Sequence, residues 1–408
     1  MFVELHLLQN FAPSCLNRDD TNSPKDCEFG GYRRARISSQ CIKRATREYF
    51  KKNREELGLT GKLAERSRLW PREMIKALQA AGKPEGDARL TTAFVLGATS
   101  FWLDKKDSNR TAVLVFNKPE GRKQLLEGML NHWEPLLEAA KAFEKKLVRK
   151  KKEKEEEAAE EEVVGREGKK DKLSKEIQQN LPSKIKELIE SIKTDVHSGA
   201  DIALFGRMVA DLTDMNVQAA CQVAHALSTN QVSMEFDFYT AVDDLSPKEE
   251  TGAGMMGTVE FNSACFYRYA NIDIAKLSEN LDGDAELAQK AVGAFLEAAV
   301  KAVPTGKQTS MAAQNPPSLV FAVVRDHGLW SLANAFVDPV RPGRDGNLVQ
   351  KSTAALEDYW TRLAAAYGEE GIRAKAALAV DCALTKLGDC QVASLEALVQ
   401  AVLKVMAQ

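Results

Sequence analysis

Phe29-Gly30-Gly31-Tyr32-Arg33-Arg34-Ala35-Arg36-Ile37-Ser38-Ser39-Gln40-Cys41-Ile42-Lys43-Arg44 sets a Gly-Gly turn and an arginine-rich approach directly before a helix start. Apolar positions Ile42, Ala45, Tyr49 and Phe50 recur at helical spacing, so a helix is expected from Ser39 to about Asn53 with Ser38 as its N-cap. Lys43, Arg44, Arg47 and Lys51 occupy the other side. Just upstream stands Ser14-Cys15-Leu16-Asn17-Arg18-Asp19-Asp20. Between Ser14 and Arg54 there are eleven Lys/Arg against five Asp/Glu, a surplus of six in a chain whose net charge is −2. The first-turn N–H groups of such a helix, with Ser38, Ser39 and Gln40, make an anion site, and Lys43, Arg44 and Arg47 extend the positive charge. Phosphates need donors in this arrangement. The competing reading is a capped helix with a solvated charged face.

Outward from this segment, residues 2–9 alternate, with Val3, Leu5 and Leu7 against Glu4 and His6, as in a strand. Residues 11–37 are rich in Pro, Asn, Asp and Gly and read as a long loop. Helices are expected over Arg72–Ala81, Gly121–Leu147, Ser183–Lys193, Asn216–Leu227, Asp284–Val303, 350–366 and 392–406. Strands are expected over Glu235–Leu245, Thr258–Ile274 and Ser318–Arg325, with Ser246–Gly257 as a hairpin tip. A Lys/Glu run between Glu144 and Lys175 reads as a solvated or partly disordered helical extension and is assigned no function. With an insertion set aside, the order is strand, helix, strand, strand, helix, strand. The fold class is α+β, in the ferredoxin-like order that RNA-recognition modules share. That order suggests RNA without showing it.

At 408 residues, 44% hydrophobic and 28% charged, the chain reads as globular, with two or three domains or one domain carrying large insertions. No apolar run approaches the ~20 residues of a membrane span. The N-terminus has no basic stretch before its apolar residues, so no signal peptide is expected. Seven cysteines without paired spacing point to reduced thiols and a cytoplasmic setting. There is no C-x-x-C, no G-x-x-x-x-G-K-[ST] and no H-x-x-x-H. His225, flanked by alanines on an expected helix, reads as a core residue. Asp243-Asp244 is the one notable carboxylate pair near the hairpin. Adjacent strand residues point to opposite faces, so the two would not easily share a metal. Neither catalysis nor a cofactor is expected. Met255-Met256 sits beside a Gly-rich tip, where a core reading is awkward and exposed apolar side chains suit wedging between bases, a dimer contact or a small local cluster. Tyr267 and Tyr269 share a strand face, and core packing is favoured for them over stacking.

The opening segment resembles the CasC family, the repeated backbone subunit of type I-E CRISPR Cascade, within the RAMP superfamily. The same family reappears in Asp201-Ile202-Ala203-Leu204-Phe205-Gly206-Arg207-Met208, in Thr240-Ala241-Val242-Asp243-Asp244-Leu245 and in Gly257-Thr258-Val259-Glu260-Phe261. It continues in Phe266-Tyr267-Arg268-Tyr269-Ala270-Asn271-Ile272 and Ala333-Asn334-Ala335-Phe336. The Lys/Glu run is longer than the family's pattern, and Phe205 stands where a small residue is common. The resemblance implies a hand: a modified RNA-recognition palm (1–55, 200–242, 263–330), helical fingers (56–199), a hairpin thumb (243–262) and a C-terminal helical region (331–408). It implies crRNA, further copies of the chain, other Cascade subunits and, through the guide, target DNA as partners, with no membrane. Carried over by position, Arg18, Ser38, Gln40, Lys43 and Arg44 meet RNA phosphates. Asn17, Ser39 and Arg47 join them from the same segment, with Lys307 as a weaker member. Met208 and Met256 flank a base displaced by the thumb, and Arg207 holds the adjoining phosphate. The runner-up is a metal-dependent RNase of the same superfamily acting through thumb aspartates.

Overall fold

The computed structural model describes residues 1–99, 101–157, 166–194, 199–208, 216–241, 255–344 and 347–407. The chain divides into two compact units. One comprises Met1–Gly58, Ala220–Glu279 and Asp284–Gln408, the other Leu59–Ala219 with Asn280–Gly283. In chain order the strands are β1 (Phe2–Ser14), β2 (Asp26–Phe29), β3 (Tyr32–Ile37), β4 (Glu65–Ser67), β5 (Val115–Asn117), β6 (Cys221–Val223), β7 (Ala226–Ser228), β8 (Glu235–Ala241), β9 (Met255–Asp273), β10 (Leu319–Arg325) and β11 (Ile372–Ala379).

The first unit is built on a sheet ordered β11-β10-β1-β9-β7-β3-β2, with β6 and β8 also pairing to β9. At its centre β10, β1, β9 and β7 are antiparallel neighbours. The helix Ser39–Lys52 connects β1 towards β7, and the helix Ala285–Lys301 connects β9 towards β10. This is the order of a ferredoxin-like βαββαβ chain, and the chain is α+β. Strand β1 alternates as expected, yet both of its faces are covered: Val3, Leu5 and Leu7 are buried on one, Glu4, His6 and Leu8 on the other. The buried polar groups of the second face are matched in part, with His6 Nε2 left without a hydrogen-bond partner. Glu4 accepts from the Tyr269 hydroxyl at 2.8 Å and the Trp330 amide at 2.7 Å and faces Arg325 at 3.2 Å. His6 Nδ1 meets the Tyr267 hydroxyl at 2.9 Å, and that hydroxyl accepts from the Leu332 amide at 2.8 Å. Burial, helped by the Arg325 charge, holds the His6 imidazole down at about 3. Buried polar groups are costly unless paired, so these contacts fix the segment after β10 onto the sheet.

Several expectations need correction. Residues 11–37 are not one loop: β1 continues to Ser14, and β2 and β3 form a hairpin joined at Gly30-Gly31. Residues 216–227 form no helix. Their alanine-rich spacing is overridden by pairing, Cys221 with Ile272, Val223 with Ala270 and Leu227 with Tyr267. His225 is exposed between two strands rather than in a helical core. The region 331–408 is not purely helical, because β11 extends the sheet beside β10. The strand expected from Glu235 does begin there, and it pairs with β9 as one arm of the hairpin. Helices Ser39–Lys52, Ala285–Lys301, Leu348–Tyr367 and Leu395–Met406 lie where periodicity put them. Ser38, Asp284, Asn347 and Ser394 each cap a helix through the side chain.

The second unit is mainly helical and runs to Ala219, beyond the expected finger boundary at 199. Its core gathers Trp70, Leu78, Val95, Phe101, Leu125 and Trp133, with the short β4–β5 ladder at one side. The single helix expected over Gly121–Leu147 is two, Pro119–Asn131 and Trp133–Glu157. Pro135 has no N–H for the Asn131 carbonyl, so the first helix cannot continue through it. The Lys/Glu run is helical at both ends, in Trp133–Glu157 and Arg166–Asn180. Its middle, 158–165, lies outside the described residues.

Candidate nucleic-acid interface

The Ser39–Lys52 helix is held at its start by its neighbours. Ser38 Oγ accepts from the Cys41 amide at 3.3 Å, and Asn17 Oδ1 accepts from the Ser38 amide at 2.8 Å. The Asn17 carbonyl in turn accepts from the Lys25 amide at 2.8 Å. Ser38 and the Asn17 Oδ1 are therefore committed to building the helix start, and Ser38 is buried. Ser39 is half-buried and Gln40 exposed at the helix's positive end. Along the next turn Arg44 is exposed, and Lys43 and Arg47 are half-buried. Arg18 is exposed on the preceding loop and donates to Asn22 Oδ1, beside Asp19, whose carboxylate ties the loop through Thr21 and Ser23.

An open cleft of about 650 Å³ separates this loop and helix from the Pro304–Gly306 segment. Gly306 makes the close approach possible: a Cβ there would fall on the carbonyl oxygens of Cys15 and Leu16. The next residue, half-buried Lys307, adopts φ +51, unusual for a side chain of its size. Its charge and that of Arg18 both act on the Cys15 thiol, whose proton affinity burial nonetheless raises. Lys307, the weakest sequence candidate, thus lies close to the strongest segment. Sequence reasoning missed Asn22, Glu48 and Thr305, which also line the cleft. Asn22, at φ +75, carried a local signal as a turn residue; Glu48 and Thr305 carried none.

The arginine-rich approach divides. Arg34 is fully buried and donates to the carbonyls of Ser228 (2.9 Å), Thr229 (3.0 Å), Phe336 (2.7 Å) and Val337 (2.9 Å). It is a strut between strands and the segment after β10. Arg33 pairs with Asp26 across the β2–β3 hairpin, and Arg36 meets His225 Nδ1 at 3.0 Å. In the second unit Arg207 is also buried, with Nη1 donating to the Phe116 carbonyl at 2.7 Å, and burial pulls its guanidinium down to about 10. The guanidinium expected to hold a phosphate is thus engaged, through Nη1, with a backbone carbonyl of its own unit. The adjacent Met208 is 89% exposed.

Strands β8 and β9 form a ribbon whose β8 residues are all exposed. Cross-strand partners share a face. Thr240 opposite Met256, Phe238 opposite Thr258 and Phe236 opposite Glu260 therefore put Phe236, Phe238 and Met256 on one side. Their exposures are 65%, 64% and 67%. On the other face the Tyr239 ring covers Gly257 so closely that any Cβ would collide with it. Tyr267, by contrast, is buried in the core. Asp243 and Asp244 lie outside the described residues. Among the described residues, no three His, Cys, Asp or Glu side chains gather to hold a metal ion, and no helix is long and apolar enough to cross a membrane.

A family model described as CT1975-like protein matches residues 3–402. No curated protein matches the chain. Among solved structures, a chain from one described as "CRISPR RNA-guided surveillance complex, pre-nicking" is 29% identical at a TM-score of 0.76, with 100% of each chain covered. A chain from another, described as "CRISPR RNA-guided surveillance complex", is 25% identical at a TM-score of 0.69, with 99% of each covered. The α+β architecture described above is thus one that chains of such complexes share.

Proposed function

The chain belongs to the CT1975-like protein family of Cas proteins, and from that premise we propose that it is a guide-RNA-binding backbone subunit of a CRISPR Cascade surveillance complex of type I-E. In this reading copies polymerise along the crRNA spacer beside other Cascade subunits and present it for pairing with invading DNA. The protein itself does no chemistry. The observation that carries the reading is the cationic face of the Ser39–Lys52 helix, beside exposed Arg18, in a chain similar end to end to surveillance-complex chains. Phosphate contacts of this kind position RNA without reading its sequence, which is left to base pairing. The exposed thioethers of Met208 and Met256 fit a wedge against displaced bases, since Met lies against any base face without choosing one.

Replacing Lys43 and Arg44 together by Ala tests this. Two lost phosphate contacts should lower the slope of log affinity against log salt by about 1.4 and weaken guides of every sequence alike. A variant that lost affinity only for particular spacers would overturn sequence-independent binding. The same preparation, incubated with labelled RNA and Mg²⁺, should leave the RNA intact. Shortening that Asp243→Ala or Asp244→Ala abolished would favour the metal-dependent RNase.

A further inference from the structure

Two neighbours in the second unit reverse the usual order of burial. The Arg207 side chain is buried, at 5% exposure, whereas Met208 beside it is 89% exposed. A lone surface methionine needs no explanation. One left in water while the adjacent guanidinium is taken out of it runs against solvation on both counts. Positions that break a local rule in this way are where function is expected.

The segment is built to keep that order. The helix Ala200–Phe205 ends at Gly206, whose amide donates to the Ile202 carbonyl at 2.7 Å and whose φ of +76 suits glycine. A Cβ there would stand 2.8 Å from the Val217 carbonyl oxygen, so glycine also lets the returning chain come close. Arg207 and Val217 then exchange two backbone hydrogen bonds, both of 2.9 Å. Asn280 clamps the same base, its Nδ2 donating to the carbonyls of Ala203 at 2.9 Å and Gln218 at 2.8 Å. Within this frame Arg207 Nη1 reaches the Phe116 carbonyl at 2.7 Å. Neighbouring residues of an extended segment face opposite ways, so Arg207 turned inward sends Met208 outward.

We infer that Arg207 is a positioning residue for the Met208 wedge, its guanidinium fixing through the Phe116 carbonyl which face of the segment turns outward, and that it is not a ligand for phosphate. The inference rests on the reading of Met208 as a wedge against RNA bases. The physical reason is a choice between two arrangements. An apolar residue at 207 would fill the interior about as well, since replacing a buried charge by a hydrophobe of similar volume is often neutral for stability. It would also leave two apolar neighbours, either of which could point inside, and a slip of one residue exchanges the faces. The guanidinium removes that choice, because a hydrogen bond to one carbonyl is directional and burial of an apolar side chain is not.

The test uses the intact protein assembled on guide RNA, with chemical probing of the RNA, the salt dependence of binding and thermal unfolding read on the same variants. In the parent, displaced bases should react in a periodic pattern that Met208→Ser blurs. Arg207→Met should unfold within a few degrees of the parent and keep its salt slope, yet blur the pattern as Met208→Ser does. Arg207→Lys, which keeps a donor of similar reach, should retain the pattern. An intact pattern in Arg207→Met would overturn the inference. So would a slope lower by about 0.7, the loss expected for one phosphate on a single strand, since Arg207 would then be a phosphate ligand. Should Arg207→Met fail to fold, the comparison passes to Arg207→Lys, and loss of the pattern in that folded variant overturns the inference. A parent without any periodic pattern would instead remove the wedge reading itself, and the positioning role with it.

Discussion

Strand β9 passes through two environments. From Phe266 to Ile272 it lies inside the sheet, between β1 on one side and β6 or β7 on the other, and Phe266, Tyr267 and Ile272 are buried. From Met255 to Phe261 its partner is β8, and the aromatic and thioether groups of that ribbon face stand open. Both halves are equally good strand sequence. The difference teaches where apolar area stabilises this fold. In the inner half it is already removed from water, which drives folding. In the ribbon it is left available, which folding alone does not explain.

The largest effect should separate two phenylalanines. Phe266→Ala removes a buried ring that packs edge-on against Phe11 and should cost about 3–5 kcal/mol. Phe236→Ala, on the ribbon, should change stability by less than about 0.5 kcal/mol. Urea denaturation of both variants measures this, and equal losses would break the contrast. A smaller effect should come with pH. His6 is linked to the inner half of β9 through Tyr267, and its imidazole is held at about 3 when folded, against an ordinary value of 6.5. The unfolded chain binds that proton more readily, so stability is full above about 6.5 and falls as pH drops towards 3. Between pH 7 and pH 5 the parent should lose about 2 kcal/mol that His6→Gln does not lose. Parallel curves for the two proteins would remove His6 from the account. The smallest change in stability is expected for Met256→Ser combined with Met208→Ser, less than about 0.5 kcal/mol, since both side chains are exposed. Chemical probing of the bound RNA should nevertheless lose a periodic pattern of reactive bases that the parent shows. A flat profile in the parent would end the wedge model and leave the ribbon face without that role.

The fold was legible where signals are local. The Ser38-capped helix, the Ala285–Lys301 helix behind Asp284 and the run Leu319–Arg325 follow from capping chemistry and apolar period, which neighbouring residues set among themselves. The basic segment was legible as a charge surplus for the same reason. Tertiary structure alone decided which of its cations are open, and did the same for Arg207 outside it. Arg34 and Arg207 read as surface charge in a motif, but distant carbonyls, of Phe336 for one and Phe116 for the other, hold them inside. It alone turned residues 216–227 into strands, because hydrogen bonds from β9 some 50 residues away outweigh a weak local preference for helix. And it alone assembled the cleft, where Gly306 comes against Leu16 across most of the first unit's sequence. Close approach over such a span is a property of packing, and no window of sequence contains it.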